Sequence, residues 1–345
     1  MSSTRQAIKI LRTAAAATSA AASTAFNLKF PVQAENQPAA SQLMAVSACP
    51  TIAGFSVSFA IEYSQLCFGE ILGRGAYGQV YAGTWQGRPV AIKHFDDVAH
   101  CLNESKTLEI TRRQLLSDVV VRYDGYAEDR THLFRPSYCI VTELLSEGSI
   151  WDFIKSYSGK DVPWGDCLEK LTSVAYACSK FHRIGMVHGD IKSRNIMLQK
   201  NNQVKFIDVG LTTFLEDAPS KKLGSVGTPS HMAPEVITNG EFSRKSDVYA
   251  LGCLMFEFAV GEPPFAHSGW DVATVTAEVA RGTRSSMTEE IPRDVAKLIT
   301  LCWLQKAQDR PNMNTLHYKL SLLAAAERKA EQAAAKTATM SLRKL

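Results

Sequence analysis

Val187-His188-Gly189-Asp190-Ile191-Lys192-Ser193-Arg194-Asn195-Ile196-Met197-Leu198, followed shortly by Val204-Lys205-Phe206-Ile207-Asp208-Val209-Gly210, is the stretch on which the fold turns. Its first part sets an acid, a cation and an amide between an apolar helical pattern and a β-like run. Taken alone, such a loop reads most simply as a solvated charged turn. The second part changes that reading. There a strand delivers Asp208 at its end, beside a glycine, where a carboxylate can meet a hard divalent cation. A carboxylate to take a hydroxyl proton, an ammonium near a phosphate and an amide for a metal ion are the groups phosphoryl transfer needs close together.

Working upstream, Gly73-Arg74-Gly75-Ala76-Tyr77-Gly78-Gln79-Val80 fits GxGxxGxV, a pattern that lets backbone approach phosphates. By itself it is a weak signal, since dinucleotide-binding folds carry it too. Those folds need a helix directly after the glycines. Here Val80-Tyr81-Ala82-Gly83-Thr84-Trp85 is β-like and ends in the turn Gln86-Gly87, so a β-hairpin lid is expected. Val90-Ala91-Ile92-Lys93 then places a lysine at the end of an apolar strand. A surface lysine is the common case, but beside a Gly-rich hairpin its ammonium can hold phosphates as a point charge. That cation needs an acidic tether, and Glu104 and Glu109 on the following helix are both candidates. Glu104 is preferred, because Leu102 and Leu108 would face the core with it.

Strand patterns end near Thr142, at Cys139-Ile140-Val141-Thr142, and helical patterns dominate beyond Gly148, as over Asp166 to Arg183 and Val248 to Val260. A small β-rich part followed by a larger α-rich part is an α+β, two-lobed arrangement.

Together these motifs resemble the eukaryotic protein kinase family from about Tyr63 to Leu323. The resemblance implies ATP and Mg²⁺. Gly73, Gly75 and Gly78 would form the glycine-rich loop, with Leu72, Val80, Ala91 and Leu198 around the nucleotide and Lys93 on its phosphates. Asp190 would be the catalytic base, Lys192 the γ-phosphate lysine, and Asn195 and Asp208 the metal ligands. Ile140 to Ser149 resembles the hinge, with Thr142 as gatekeeper and the backbone at Glu143 and Leu145 on the adenine. Asp152 would reach the ribose or a substrate. Ala233-Pro234-Glu235 would close the activation segment, Asp247 would brace the catalytic loop, and Arg310 in Asp309-Arg310-Pro311 would pair with Glu235. The Cys302-Trp303 and Arg310-Pro311 ending, with Gly83-Thr84-Trp85-x-Gly87, is similar to the tyrosine kinase-like group, whose members mostly phosphorylate Ser/Thr.

Two positions depart from the family pattern. Gly189 stands where arginine is usual; that arginine docks a phosphate on the activation loop. Without it, activity that depends little on loop phosphorylation is expected. Val209 replaces phenylalanine between Asp208 and Gly210, a loss of packing of order 1–3 kcal/mol if the site cannot collapse. Thr212, Thr213, Ser220, Ser225 and Thr228 are the hydroxyls between, and Thr228 is expected to bond Asp190 and Lys192. An ATP-binding pseudokinase scaffold is the alternative these departures suggest, although Lys93, Asp190, Asn195 and Asp208 are all retained. Small-molecule phosphotransferases of the aminoglycoside-kinase type share the His-Gly-Asp-x-x-x-x-Asn loop, but lack the Ala-Pro-Glu segment with its arginine partner.

Composition bounds the rest. The formal net charge of +4 and the lack of a Lys/Arg block argue against a nucleic-acid partner, and protein substrates are expected. Oligomeric state is not legible. No apolar run is long enough to cross a bilayer. Eight cysteines in no metal-binding spacing read as buried free thiols in a reducing compartment. Residues 1–60 are Ala/Ser-rich and acid-poor, and read as a disordered tail of a cytoplasmic protein or, alternatively, as an organelle transit peptide. The kinase-like domain is placed at 61–325, its lobes at about 61–143 and 146–325, and a charged Ala-rich tail at 326–345, with a solvent-exposed helix from Ala324 to about Lys336.

Overall fold

Alternation along Val90-Ala91-Ile92-Lys93 organises the first lobe. Val90 and Ile92 are fully buried and pack with Ile61, Leu66, Cys139 and Val141 on one face of a sheet, so Ala91 and Lys93 turn to the other face. Burying each of the two aliphatic side chains contributes roughly 1.5–3 kcal/mol. The computed structural model describes residues 59–75, 78–129, 131, 137–157, 161–215, 220–224 and 226–342. The expectations for residues 1–58, for the hairpin tip Ala76-Tyr77 and for Ser225 lie outside them. Strands β1 (Ala60–Ile61), β2 (Leu66–Gly75), β3 (Gly78–Trp85), β4 (Arg88–Phe95), β5 (Tyr123–Asp129) and β6 (Ser137–Glu143) form one sheet in the order β1-β5-β6-β4-β3-β2. Phe59 already packs edge-on against Tyr123 and under Arg112, two residues before the expected start at 61.

Helix α1 (Val98–Arg113) crosses this sheet. Asp97 caps it by accepting from the Ala99 N–H at 3.1 Å, and Arg112 and Arg113 complement the dipole at its other end. Cys101, Glu104 and Leu108 lie on its buried face at helical spacing.

The second lobe is helical: α2 (Ile150–Ser156), α3 (Trp164–Arg183), α4 (Pro234–Asn239), α5 (Arg244–Val260), α6 (Val272–Arg281), α7 (Arg293–Cys302) and α8 (Met313–Leu342). The small strands β7 (Met186–Val187), β8 (Ile196–Leu198), β9 (Val204–Phe206), β10 (Thr213–Phe214), β11 (Ser220–Lys222) and β12 (Glu241–Ser243) thread between them. Helix α5 is its axis. The stretch from Ser246 to Phe258 is buried throughout, as expected of a helix apolar on nearly every side. A Ser243/Ser246 capping box starts it and Gly261, at φ 84°, stops it.

Two expectations need correcting. The C-terminal helix is continuous through residue 326 and is not simply solvent-exposed. Leu320, Leu323 and Ala324 are buried, and Arg328 pairs with Glu169 and with Asp166 on α3. Among the cysteines, Cys67 is exposed, whereas Cys101, Cys139, Cys167, Cys178, Cys253 and Cys302 are buried free thiols. No helix among the described residues is long and apolar enough to cross a membrane.

Candidate functional site

The candidate site lies where the sheet lobe meets the helical lobe, at the contact of Lys93 with Asp208, and its first part is the β2–β3 hairpin. Gly73 pairs with Val80 and Gly75 with Gly78, while Val80 faces Lys93 across β3–β4 and Ala91 faces Thr142 across β4–β6. Gly78 has φ 141°, and a Cβ there would stand 1.8 Å from the His94 carbonyl oxygen. No other residue fits that position. Leu72, half exposed, sits on the same hairpin. Thr142 leads into Glu143 and Leu145. Glu143 is fixed to the start of β5: its N–H donates to the Arg122 carbonyl at 3.0 Å, and its carboxylate accepts from the Arg122 N–H at 2.8 Å and from Lys205 Nζ at 2.5 Å. Leu198, on β8, lies below this connection and donates its N–H to the Gly148 carbonyl at 2.8 Å.

Lys93 Nζ lies 2.9 and 2.7 Å from the two carboxylate oxygens of Glu104 and 3.3 Å from Asp208 Oδ1. Burial works against its charge, but Glu104 and then Asp208 outweigh it, so the ammonium titrates above its ordinary value. Glu109 pairs instead with Arg113, one turn on. The tether is therefore Glu104. Asn103 adds a bond from its side chain to the Gly210 carbonyl at 3.1 Å, tying α1 to the loop after Asp208.

Around Asp190 the contacts close into a cluster. Lys192 Nζ donates to Asp190 Oδ2 at 2.6 Å and Asn195 Nδ2 donates to the same oxygen at 2.8 Å, while Thr228 Oγ1 donates to Oδ1 at 2.7 Å. Lys192 also donates to Thr228 at 2.7 Å. Burial would raise the Asp190 carboxyl, but Lys192 and Thr228 hold it below its ordinary value, so it stays ionised at neutral pH. Asp247, buried on α5, accepts the His188 N–H and the Gly189 N–H at 2.9 Å each and lies 2.9 Å from His182 Nε2. The loop thus hangs from the central helix by its backbone.

Asn195 precedes β8 and Asp208 follows β9, and the register Ile196↔Phe206 brings them to one end of that hairpin. Asn195 spends its amide NH₂ on Asp190, which leaves its carbonyl oxygen available, and Asp208 presents a carboxylate that is 35% exposed. Two oxygen donors at one end of that hairpin could hold a Mg²⁺ ion. Asp152, expected to reach a ribose or substrate, is committed locally: its Oδ2 accepts from the Ser149 N–H at 2.8 Å and the Ser149 hydroxyl at 2.7 Å in the capping box of α2.

A match to the family described as protein tyrosine and serine/threonine kinase runs over residues 66–320. This chain belongs to the eukaryotic protein kinase family. It is 32% identical over 270 residues, 76% of its length, to a protein of Acanthamoeba polyphaga mimivirus named as a serine/threonine-protein kinase/receptor. Two Dictyostelium discoideum proteins, one named as a serine/threonine-protein kinase and one as a LIM domain-containing serine/threonine-protein kinase, are 31% and 28% identical over 74% of the chain each. The chain spans 16%, 28% and 39% of the mimivirus protein, the first and the second Dictyostelium protein, respectively.

In this kinase the activation segment leaves Asp208 and is pinned along much of its length. Thr213 pairs with Val187, the Leu215 N–H donates to Gly185 at 3.0 Å, and β11 pairs with β12. Thr212 and Thr213 are buried, Ser220 bonds Glu241, and Thr228 is held at Asp190. Val209 is fully buried in the main core, while the His188 ring lies 4.2 Å from Phe206 and 5.6 Å from Phe181. Glu235 and Arg310 form a two-point ion pair at 2.7 Å.

Gly189 is more than a missing guanidinium. It has φ 82°, and a Cβ there would lie 2.9 Å from the Leu211 carbonyl oxygen and 3.2 Å from the Phe242 ring. Restoring arginine by Gly189→Arg is therefore expected to destabilise the kinase by at least ~1–2 kcal/mol, the cost of a left-handed side-chain residue. Thermal denaturation checks this; an unchanged or raised midpoint would contradict it.

Sequence reasoning passed over Glu257, His231 and the Arg194 guanidinium 4.0 Å above Trp151. A lone acid inside the apolar run Met255-Phe256-Glu257-Phe258 was the available signal for the first.

Proposed function

We propose that this kinase transfers the γ-phosphoryl group of ATP to Ser/Thr hydroxyls of proteins in signal transduction, as a cytoplasmic member of the tyrosine kinase-like group. The convergence of Lys192, Asn195 and Thr228 on one ionised carboxylate, Asp190, carries this reading. Asp190 accepts the proton of the attacking hydroxyl as the new O–P bond forms and ADP leaves. Lys192 stands beside Asp190 to steady the γ-phosphate, and Lys93, aimed by Glu104, holds the α- and β-phosphates. Leu72, Gly73, Gly75, Gly78, Val80 and Ala91 cover the nucleotide. Thr142, Glu143, Leu145 and Leu198 hold its adenine. Mg²⁺ on Asn195 and Asp208 would neutralise charge building on the phosphates. Thr228 on Lys192 and Asp190 favours Ser/Thr over Tyr acceptors, and the names of the relatives agree.

Purified kinase with Mg²⁺, γ-labelled ATP and a generic protein substrate should label Ser/Thr, and an Asp208→Ala control should not. ATP binding without transfer would make the chain a scaffold; transfer to an aminoglycoside but no protein would place it with small-molecule kinases.

The second part of the proposal is that activity does not wait for a loop phosphate. The backbone pairings of β10 and β11 order the segment where the missing arginine would have used a phosphate. Phosphatase-treated kinase is expected to keep its activity, and a complete loss would refute the idea.

A further inference from the structure

Arg328 lies on the second half of α8, past residue 320, where the match to the kinase family ends. The helix does not leave the domain there. Leu320, Leu323 and Ala324 are buried. Arg328 Nε then donates to Glu169 Oε1, and its Nη2 stands 3.7 Å from Asp166 Oδ1, both on α3. One turn further on, the Glu331 carboxylate rests against Gly165, where any larger residue would meet it. Helix α3 starts without a capping side chain, so an acid over its first turn is favourable.

Glu169 faces two ways. Its Oε1 takes Arg328, and its Oε2 accepts from Asn202 Nδ2. Arg328 outweighs partial burial, Asn202 adds to it, and the Glu169 carboxyl titrates below its ordinary value. The carbonyl of the same Asn202 amide accepts from Lys170 Nζ at 2.7 Å. Both ends of the Asn202 side chain are therefore held by α3.

Asn202 lies in the turn from β8 to β9. Asn201 and Asn202 have φ 60° and 58°, two left-handed residues in succession without a glycine. Such a turn persists where its surroundings over-determine it, and the bonds to the Asn202 amide supply that hold. From the turn to the site the hairpin is short and continuous. The Gln199 N–H donates to the Gln203 carbonyl at 2.8 Å, Leu198 pairs with Val204 and Ile196 with Phe206, and the Ile207 N–H donates to the Asn195 carbonyl at 3.0 Å. Asn195 and Asp208 stand at its other end. The turn fixes the register of a hairpin, so what holds the turn also sets where these two side chains meet.

We propose that Arg328 and Glu169 are positioning residues: the second half of α8, acting through Glu169, holds the β8–β9 turn and keeps Asn195 and Asp208 in register for the metal they would share. The inference rests on the protein-kinase reading above.

The test uses Arg328→Glu, Arg328→Lys and Asn202→Gly in the full chain. Asn202→Gly keeps the left-handed backbone and removes both side-chain bonds. Amide hydrogen exchange at Gln199 should quicken roughly 3- to 5-fold in Arg328→Glu, the upper range for an exposed ion pair, while amides of α7 keep their protection. Arg328→Lys keeps the charge and should recover most of the difference. In the Asn202→Gly background, Arg328→Glu should add nothing, because the route runs through that amide. Unchanged exchange at Gln199, loss confined to α8, no rescue by Lys, or additive effects would overturn the proposal, even in a chain that transfers no phosphate. In turnover, the Mg²⁺ concentration for half-maximal rate should rise by a similar factor in Arg328→Glu, with the KM for protein substrate unmoved. A lower rate at every Mg²⁺ concentration, with the requirement unchanged, would leave Arg328 a merely structural residue and refute the idea. Failure of transfer by the unaltered kinase, by contrast, counts against the protein-kinase reading alone.

Discussion

Asp190→Asn is expected to cut kcat roughly 10²–10⁴-fold, the range for loss of a general base, while ATP still binds. An amide cannot take the hydroxyl proton. It also cannot satisfy the surroundings equally: Oδ2 now accepts from both Lys192, at 2.6 Å, and Asn195, at 2.8 Å, and Oδ1 accepts from Thr228 at 2.7 Å. One of these donors would face an NH₂ group. The nucleotide contacts proposed for Lys93 and the glycine hairpin lie elsewhere, so the KM for ATP should move little. The pH dependence has a definite sign. The folded-state value of Asp190 lies below its ordinary 3.8, so its contribution to stability is complete above that pH and lost as pH falls through the lower folded value. Activity should therefore show no acid limb from this group near neutrality. Single-turnover kinetics with an ATP thermal-shift control measures both parts. A variant with full kcat would remove Asp190 from the chemistry.

Arg310→Met should cost about 3–5 kcal/mol in folding stability, the usual result of breaking one side of a buried ion pair. The Arg310 side chain is fully buried and meets five acceptors: Glu235 Oε1 and Oε2 at 2.7 Å, the Leu304 carbonyl at 2.8 Å, the Lys245 carbonyl at 2.9 Å and the Gln305 carbonyl at 3.3 Å. Removing it strands a carboxylate on α4 and takes a donor from the Leu304 and Gln305 carbonyls in the loop after α7 and from the Lys245 carbonyl in the first turn of α5. The double change Arg310→Met/Glu235→Gln should be milder than the sum of the two single changes, because the stranded charge goes too. Urea denaturation of the four proteins gives the comparison. A loss under 1 kcal/mol for Arg310→Met would show that these segments do not depend on this pair. Because Glu235 follows Pro234 at the end of the activation segment, substrate affinity should weaken alongside stability.

Much of the site was legible in order along the chain. Glycines with β-like flanks, a lysine ending an apolar strand, and Asp190 and Asn195 followed by a strand-borne Asp208 are local patterns, set by backbone freedom and by side-chain alternation. The two-lobed arrangement follows from the change from strand to helix patterns near Gly148. Even Thr228, 38 residues from Asp190, could be assigned to it by family resemblance.

Other features were open until the chain folded. Glu104 and Glu109 are both buried on α1, and only the approach of β4 selects Glu104 for Lys93. Asp152 looked free to reach a ligand, but closes its own helix cap. Gly189 read as a deletion of charge; its φ of 82° and the nearby Leu211 carbonyl make it a backbone requirement. Glu257 and His231 are unremarkable letters 26 residues apart, and become partners through the packing of α5 under the activation segment. Which chemical groups the kinase carries, and which local strands, turns and helices bear them, could be read along the chain, because those depend on neighbours a few residues away. The choice between Glu104 and Glu109 for Lys93, and the local use of Asp152, came with the folded chain, because burial leaves a charge only the partners that distant segments bring within about 4 Å.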